Sequence, residues 1–335
     1  MRLGVNVTHL DPGIAVDAER LGYRLALVPE GFRADAVSVL GWLAARTNEI
    51  QLSAICQLPV RTPVAMAMTA ATLATLSGSR FQLGLGISNS HTAEVWHGVS
   101  FERPLARTRE YVDIVRMALA GDEVRYAGEL FQIPLAGRTG NPFRMPSNTP
   151  IPVHLAAVGP RNLHLTGLVA DGWIGVFSSP ERISEILPLI LAGRDASGRP
   201  RESFEMNLTA GVSVDDDPEK ASLALKPHAA RFMSIGHREK NFYFRLAAGM
   251  GLGAAAAKVQ DLYAAGEISA ATAAIPFAFV DATGLIGPVD RIAQKMKAYA
   301  AAGVTTLAIT PYGPDRVCTL EIAAEALRQS GVQGS

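Results

Sequence analysis

Two short segments of this sequence have the residue types of a small-molecule site. The run Gly84-Leu85-Gly86-Ile87-Ser88-Asn89-Ser90 places two glycines at the end of an alternating strand pattern and follows them with small polar side chains. Glycine there lets a ligand approach the backbone, although it also suits a barrel that only tapers. The run is not a dinucleotide fingerprint, because the third glycine is absent and a polar loop follows where a helix should begin. In the second segment, Val158-Gly159-Pro160-Arg161-Asn162, a strand passes into a helix. The free amides of that helix N-terminus could hold a phosphate with Arg161 as a further donor, while the same string also reads as an ordinary proline-initiated helix with a solvated arginine.

Other chemistry is less well supported. His91, His97, His154 and His164 are scattered, with no partner at metal-ligand spacing, so no metal site is expected. His91 and His97 lie in the loop after the glycine strand and could line a pocket, whereas His154 and His164 read as scaffold residues. There is no Gly-x-Ser-x-Gly elbow, Cys56 has no evident partner, and Asp215-Asp216-Asp217 reads as charge at a helix N-terminus. Hydrolase chemistry therefore lacks a nucleophile.

The elements that must position these residues alternate. A strand at Leu3 to Val7 precedes Asp11-Pro12, an N-cap with proline at the first helical position, and a helix that Gly22 ends. Strands then follow near 25–28, 50–55 and 80–87, separated by helices near 35–46 and from Thr62-Pro63 to Gly78. In the fourth strand Phe81, Leu83, Leu85 and Ile87 share one face and Gln82, Gly84 and Gly86 the other, since strand side chains alternate. Ser88 to His97 reads as a polar loop, Arg103 to Ala120 as a helix, and about 121–150 as a Gly/Pro/Asn-rich insertion. Strands resume at 151–157 and 172–177, Asp217-Pro218 opens a helix, and the Ala-rich stretch 232–282 reads as a second insertion. Val289, Ile292, Met296 and Tyr299 form a helical stripe that ends at Gly303 before a last strand at 304–309. Strand-helix alternation predicts a parallel sheet, and eight strands can be counted.

Bulk properties narrow the partners. The 335 residues fit one α/β barrel, and 48% hydrophobic against 19% charged residues supply a large core. Lys plus Arg and Asp plus Glu balance at 31 each, which removes the basic field that nucleic acid or anionic membranes exploit. Two cysteines, no apolar stretch of about 18 residues and a polar-interrupted N-terminus predict a protein of the cytoplasm with small-molecule partners.

Several segments, in shared order, resemble the bacterial luciferase-like superfamily. They are Ala18 to Tyr23 with Val28-Pro29-Glu30, Arg61-Thr62-Pro63 through Leu73, and Leu76 to Gly86. The segments 98–111, Pro150 to Arg161, Ala170-Asp171-Gly172-Trp173, Leu285 to Pro288 and Gly303 to Leu307 are similar to its coenzyme F420-dependent oxidoreductase branch, in particular the methylenetetrahydromethanopterin reductase-like proteins of actinobacteria. The resemblance implies a luciferase-type (β/α)8 TIM barrel over 1–335, with the cofactor at the C-terminal ends of the strands. It implies a non-prolyl cis peptide at Ala54-Ile55 behind the deazaflavin ring, and cofactor loops at Ile87, Ser88, Asn89 and Ser90 and at Ala157, Val158, Gly159, Pro160 and Arg161. The phosphate reading of that last loop is then the favoured one.

The related glucose 6-phosphate dehydrogenases carry a histidine and a glutamate where this chain has Gly31 and Ser90, which argues against that substrate. The resemblance thus implies hydride transfer between F420 and a small organic substrate, in a homodimer. Glu30 and His97 are the candidate proton donors or substrate contacts, because reducing a polarised double bond also needs a proton. Two rivals are an FMN-dependent two-component monooxygenase and a catalytically silent flavin-binding protein, since a fold does not fix turnover.

Overall fold

Alternating strands and helices close into a ring in the computed structural model, which describes residues 1–7, 11–31, 35–146 and 150–332. The strands are β1 (Arg2–Asn6), β2 (Leu25–Pro29), β3 (Gln51–Gln57), β4 (Phe81–Gly86), β5 (Tyr126–Ala127), β6 (Gln132–Ile133), β7 (Val153–Ala156), β8 (Gly172–Val176), β9 (Glu205–Ser213), β10 (Leu285–Ile286) and β11 (Thr306–Pro311). Their lateral order β9-β11-β1-β2-β3-β4-β7-β8, with β8 returning to β9, is a closed parallel barrel of eight. β10 extends the far end of β9, and β5 and β6 form a separate antiparallel hairpin. This is the (β/α)8 barrel that the sequence predicts.

Helices α1 (Ile14–Arg20), α2 (Ala36–Arg46), α3 (Pro63–Leu76), α4 (Pro104–Leu119), α5 (Pro160–Val169) and α6 (Pro180–Ala196) follow successive barrel strands. Between β9 and β10 come α7 (Pro218–Leu223), α8 (Lys226–Ser234), α9 (Phe242–Gly249), α10 (Gly253–Ala264), α11 (Ile268–Ala273) and α12 (Phe277–Thr283); α13 (Val289–Ala301) and α14 (Arg316–Gln329) complete the ring. Local chemistry sets the ends. The side chains of Asp35, Thr62 and Asp217 accept amide hydrogens in the first turns of α2, α3 and α7, and Gly22, Gly78 and Gly303 take positive φ just past α1, α3 and α13.

Three readings change. α1 starts at Ile14 with Gly13 as its N-cap, because Asp11 contributes only its carbonyl to the preceding turn. The loop expected at Ser88 to His97 contains a π-helical turn, Thr92–Trp96, with His91 at its N-cap position and Asn89 Oδ1 accepting the amide of Thr92 at 2.9 Å. The helical stretch after β9 begins at Pro218, ahead of the compositional change near residue 232, and the end of the first expected insertion, 147–149, lies outside the described residues.

Most buried side chains lie between barrel and helices. The α13 stripe behaves as its period requires: Ile292, Met296 and Tyr299 are fully buried, and the Tyr299 hydroxyl donates to the carbonyl of Ser178 at 2.9 Å. Several of the motifs that carry the resemblance turn out to be scaffold. Glu19 accepts the amides of Asn48, Glu49 and Ile50, tying α1 to the turn before β3. Asp171 takes the amide of Val153 and pairs with Arg116 and Arg199 at 2.8 and 2.9 Å. These partners hold its carboxyl below the usual aspartate range against the opposing effect of burial. The indole of Trp173 donates to the Ala157 carbonyl at 2.8 Å, fixing the loop between β7 and α5. A second apolar cluster, with Leu225, Met233, Ala256, Val259 and Phe279, lies within α7–α12 and at Ile286 of β10, with Phe177 and Tyr312 packed against it.

Candidate active site

Strand alternation decides what the barrel offers at its C-terminal mouth. Its lowest interior level is polar, with Ser53, Gln82, His154, Asn207 and Thr306 all buried. His154 is the scaffold residue the sequence suggests: its Nδ1 lies 3.0 Å from the Asn207 amide nitrogen, and burial pushes its pKa down. The next level is apolar, where Leu27, Ile174 and Ala308 pack with Ile55 and Ala156. Above it Asn6, Gln57, Gly86 and Thr310 face a cavity of about 1460 Å³. This volume exceeds the roughly 300–1,000 Å³ of common small-molecule sites, so it has room for a large cofactor and more.

The cavity brings together Glu30, Ile55, Ile87, Ser88, Asn89, Ser90, Ala157, Val158 and Gly159 from the predicted set. Ala54 is buried behind the wall, while Pro160, Arg161 and His97 are outside the lining, with Arg161 exposed on the first turn of α5. Beside His97, Trp96 does reach the cavity. Gly159 caps α5 in an extended conformation with no side chain bonded across the cap, so the amides of that first turn remain available. Ser88 and Phe177, just past the ends of β4 and β8, have positive φ of 66° and 51°. Such backbone in non-glycine residues persists only where the surroundings enforce it.

The two glycines of β4 have different reasons. A Cβ on Gly84 would lie 1.9 Å from the carbonyl oxygen of Ala54, so its missing side chain accommodates β3 and no ligand. A Cβ on Gly86 would meet Ile55 and Ala156 at 3.4 and 3.6 Å, ordinary contacts, and Gly86 does line the cavity. The expected cis peptide at Ala54-Ile55 is corrected: among the described residues the cis bond is Ile133-Pro134. Ala54 and Ile55 continue the regular pairing with Val28 and Pro29 of β2, and a non-prolyl cis bond costs about 3 kcal/mol that this ladder does not require. The irregularity at this point is instead a gap in the β3–β4 register between Ser53 and Cys56, where the Ala54 carbonyl tips over Gly84.

Glu30 is firmly held. Its Oε1 is 2.5 Å from Arg61 Nη1 and its Oε2 accepts the Gln57 amide at 2.8 Å, while Arg61 also pairs with Asp35. Both carboxylate oxygens are engaged, so any contact with substrate is made by sharing them. Among the described residues three amide oxygens on the cavity wall have no partner: Asn6 Oδ1, Gln57 Oε1 and Asn162 Oδ1 are buried and unbonded. Buried polar atoms of this kind cost free energy unless something bonds them. Asn6 and Gln57 stand at the C-terminal ends of apolar strands, a signal that could have marked them in the sequence. Among the described residues the rim carries Arg182, Arg231, Lys240, Arg245 and Arg316 against Glu30, Glu94 and Glu239, five cations to three anions, with Arg182 and Arg316 also paired to Glu185 and Asp11 just outside the lining.

His228 on α8 and Tyr312 after β11 also line the cavity and follow no motif. Burial, aided by Arg231, lowers the His228 pKa to about 4, so its imidazole is neutral at pH 7. Among the described residues no group of three His, Cys, Asp or Glu is arranged to hold a metal.

The comparisons with known proteins follow this geometry. The profile described as luciferase-like monooxygenase matches residues 12–306. A Mycobacterium tuberculosis protein described as a coenzyme F420-dependent oxidoreductase is 36% identical over 312 residues, covering 90% of each chain. The 5,10-methylenetetrahydromethanopterin reductase of Archaeoglobus fulgidus is 27% identical over 292 residues, 87% of this chain and 86% of that one. The solved structure of the coenzyme F420-dependent tetrahydromethanopterin reductase of Methanopyrus kandleri superposes with a TM-score of 0.83 over 97% of both chains at 21% identity, a likeness of fold.

Proposed function

The chain belongs to the luciferase-like monooxygenase family, and from that premise we propose that it is an oxidoreductase that passes a hydride between coenzyme F420 and a small organic substrate at the barrel mouth. The observation that carries this reading is the cavity wall: three buried, unbonded amide oxygens above an apolar floor, ringed by an excess of cations. Such a wall fits a flat ring with polar edges and a long anionic tail. The 36% identical relative, described as F420-dependent, supports the same cofactor.

When bound, F420 supplies a ring carbon that gives or takes a hydride. The residues of this chain do the rest. Asn6, Gln57 and Asn162 would bond the polar edges and fix the ring over Ile55, Ala156 and Ile174. The first-turn amides of α5 at Gly159, with Arg161 nearby, would hold the phosphate, since a helix N-terminus favours an anion. Ile87 to Ser90 would border the ring on the β4 side, and Glu30, fixed by Arg61, is the group placed to share a hydrogen bond with substrate. His97, exposed and outside the cavity lining, is not given that role in this reading. A homodimer belongs to the same reading.

The test is turnover. Purified protein is mixed with F420 and a panel of alcohols, or with reduced F420 and a panel of enones and ketones, and deazaflavin absorbance is followed. Substrate-dependent change is expected. Oxygen consumption that requires reduced FMN, with no change in the F420 reactions, would replace this reading by the monooxygenase one.

A further inference from the structure

Resting on the F420 reading for the identity of the reaction, we propose that the inserted helices α7–α12 build a substrate chamber, and that it takes a small uncharged ring-bearing molecule with one oxygen function directed at His228. A second cavity of about 260 Å³ lies against the first and shares Asn6, Ile55, Ile174, His228 and Phe232 with it. It is therefore an alcove opening from the place assigned to the cofactor ring, on the side of β8, β9 and β11.

Its walls come from both parts of the protein. The barrel contributes Phe177 after β8, and the insertion contributes Phe232, Tyr243 and Phe279 from α8, α9 and α12. Phe177 is the hub, with ring centroids 5.5, 5.4 and 5.7 Å from those three and 5.4 Å from His228. Its positive φ of 51° turns the ring inward from the strand end, a strained backbone of the kind that marks ligand clamps. Edge-to-face and tilted rings leave a slot that another ring or short apolar chain completes.

Size and charge set the occupant. At a protein-like packing density of about 0.75, the 260 Å³ hold roughly 195 Å³ of molecule, enough for one substituted ring, and any longer side chain has to extend into the larger cavity. Among the described residues the one charged side chain in the lining is Glu30, already tied to Arg61 and the Gln57 amide; the rim cations line only the larger cavity. A carboxylate or phosphate in the alcove would lose its water and find no cation. The Thr209 hydroxyl is spent on the Gly175 carbonyl, and no hydrogen bond among the described residues engages the His228 ring. A neutral imidazole has one donor and one acceptor to offer, which suits a ketone or an alcohol oxygen.

Calorimetric titration of the cofactor-free protein with acetophenone and with benzoate, alike in ring and different in charge, tests this directly. Acetophenone should bind at least tenfold more tightly. Val280→Phe, which fills the alcove from α12, should weaken acetophenone tenfold or more and leave F420 affinity within twofold. His228→Leu, which keeps the wall apolar, should cost a similar factor and decides the matter if Val280→Phe does not fold. Equal binding of benzoate, or acetophenone affinity unchanged in both variants, overturns the proposal. Failure to bind F420 with the acetophenone pattern intact would instead sink the cofactor reading and leave the alcove standing.

Discussion

Replacing Gly84 by alanine should damage this protein far more than the same change at Gly86, two residues along the same strand face. The added methyl at residue 84 would sit 1.9 Å from the Ala54 carbonyl oxygen and 2.8 Å from Ile174 Cδ1. To reach even 3.0 Å, β3 must retreat by 3.0 less 1.9, or about 1.1 Å, and backbone paired on its other side to β2 yields poorly. Overpacking of this kind costs about 1–3 kcal/mol, and the size of the clash puts it near 3. With an unfolding entropy of about 2.1 cal/mol/K per residue over 335 residues, or about 0.7 kcal/mol/K, the midpoint should fall by about 4 °C. At Gly86 the methyl meets neighbours at 3.4 and 3.6 Å, so the change should lie within about 0.5 kcal/mol of neutral, helped by the lower entropy of the unfolded chain. Thermal and urea unfolding, followed by the fluorescence of buried Trp173, measure both. Equal effects at the two positions, or a loss at Gly84 below about 0.5 kcal/mol, would refute the close approach of β3 as the reason for that glycine.

Removing Glu30 as Glu30→Ala should cost about 2–3 kcal/mol in urea unfolding, because the pair with Arg61 is largely buried while Asp35 still partners the guanidinium; a neutral result would mean the pair is dispensable. His228 makes acid stability a second test. Its folded pKa near 4 is below the unfolded 6.5, so between those values the unfolded chain binds the extra proton, and stability falls as pH drops through that window by about 1.4 kcal/mol per unit. His228→Leu should flatten that part of the wild-type profile between pH 6.5 and 4, and an unaltered slope would contradict it. Arg161→Ala should weaken F420 binding about tenfold or more in low salt and less in high salt, as a charged hydrogen bond at an exposed position would; affinity that does not change places Arg161 outside the site.

Much of the barrel was legible because its punctuation is local. Asp35, Thr62 and Asp217 cap where their residue types predict, and Gly22, Gly78 and Gly303 end helices by a φ that other residues avoid. Asp11 misled, since the turn it opens runs through Gly13 before the helix begins, and backbone geometry there is not fixed by residue type. The loops after β4 and β7 that line the cavity were readable as breaks in apolar alternation. Gly84 was read as a place for a ligand to approach, but what approaches is β3, a tertiary neighbour that no spacing within β4 reveals. The alcove was illegible for the same reason on a larger scale. Phe177, His228, Phe232, Tyr243, Phe279 and Tyr312 come from a strand end and four separate segments, and each alone is an ordinary ring, half-buried except for the buried Phe279. Only the docking of α8, α9 and α12 over β8 and β9 makes them one surface.

The central claim is the cofactor, and parallel fluorescence titrations with F420 and FMN test it most directly. The polar loop Ser88 to His91, the amides at Gly159 and the five rim cations can hold a long anionic tail that FMN lacks. One or two extra charged hydrogen bonds there are worth at least the 1.4 kcal/mol, approximately, that separates a tenfold difference in affinity. F420 should therefore bind at least tenfold more tightly than FMN. Equal or tighter binding of FMN would contradict the account.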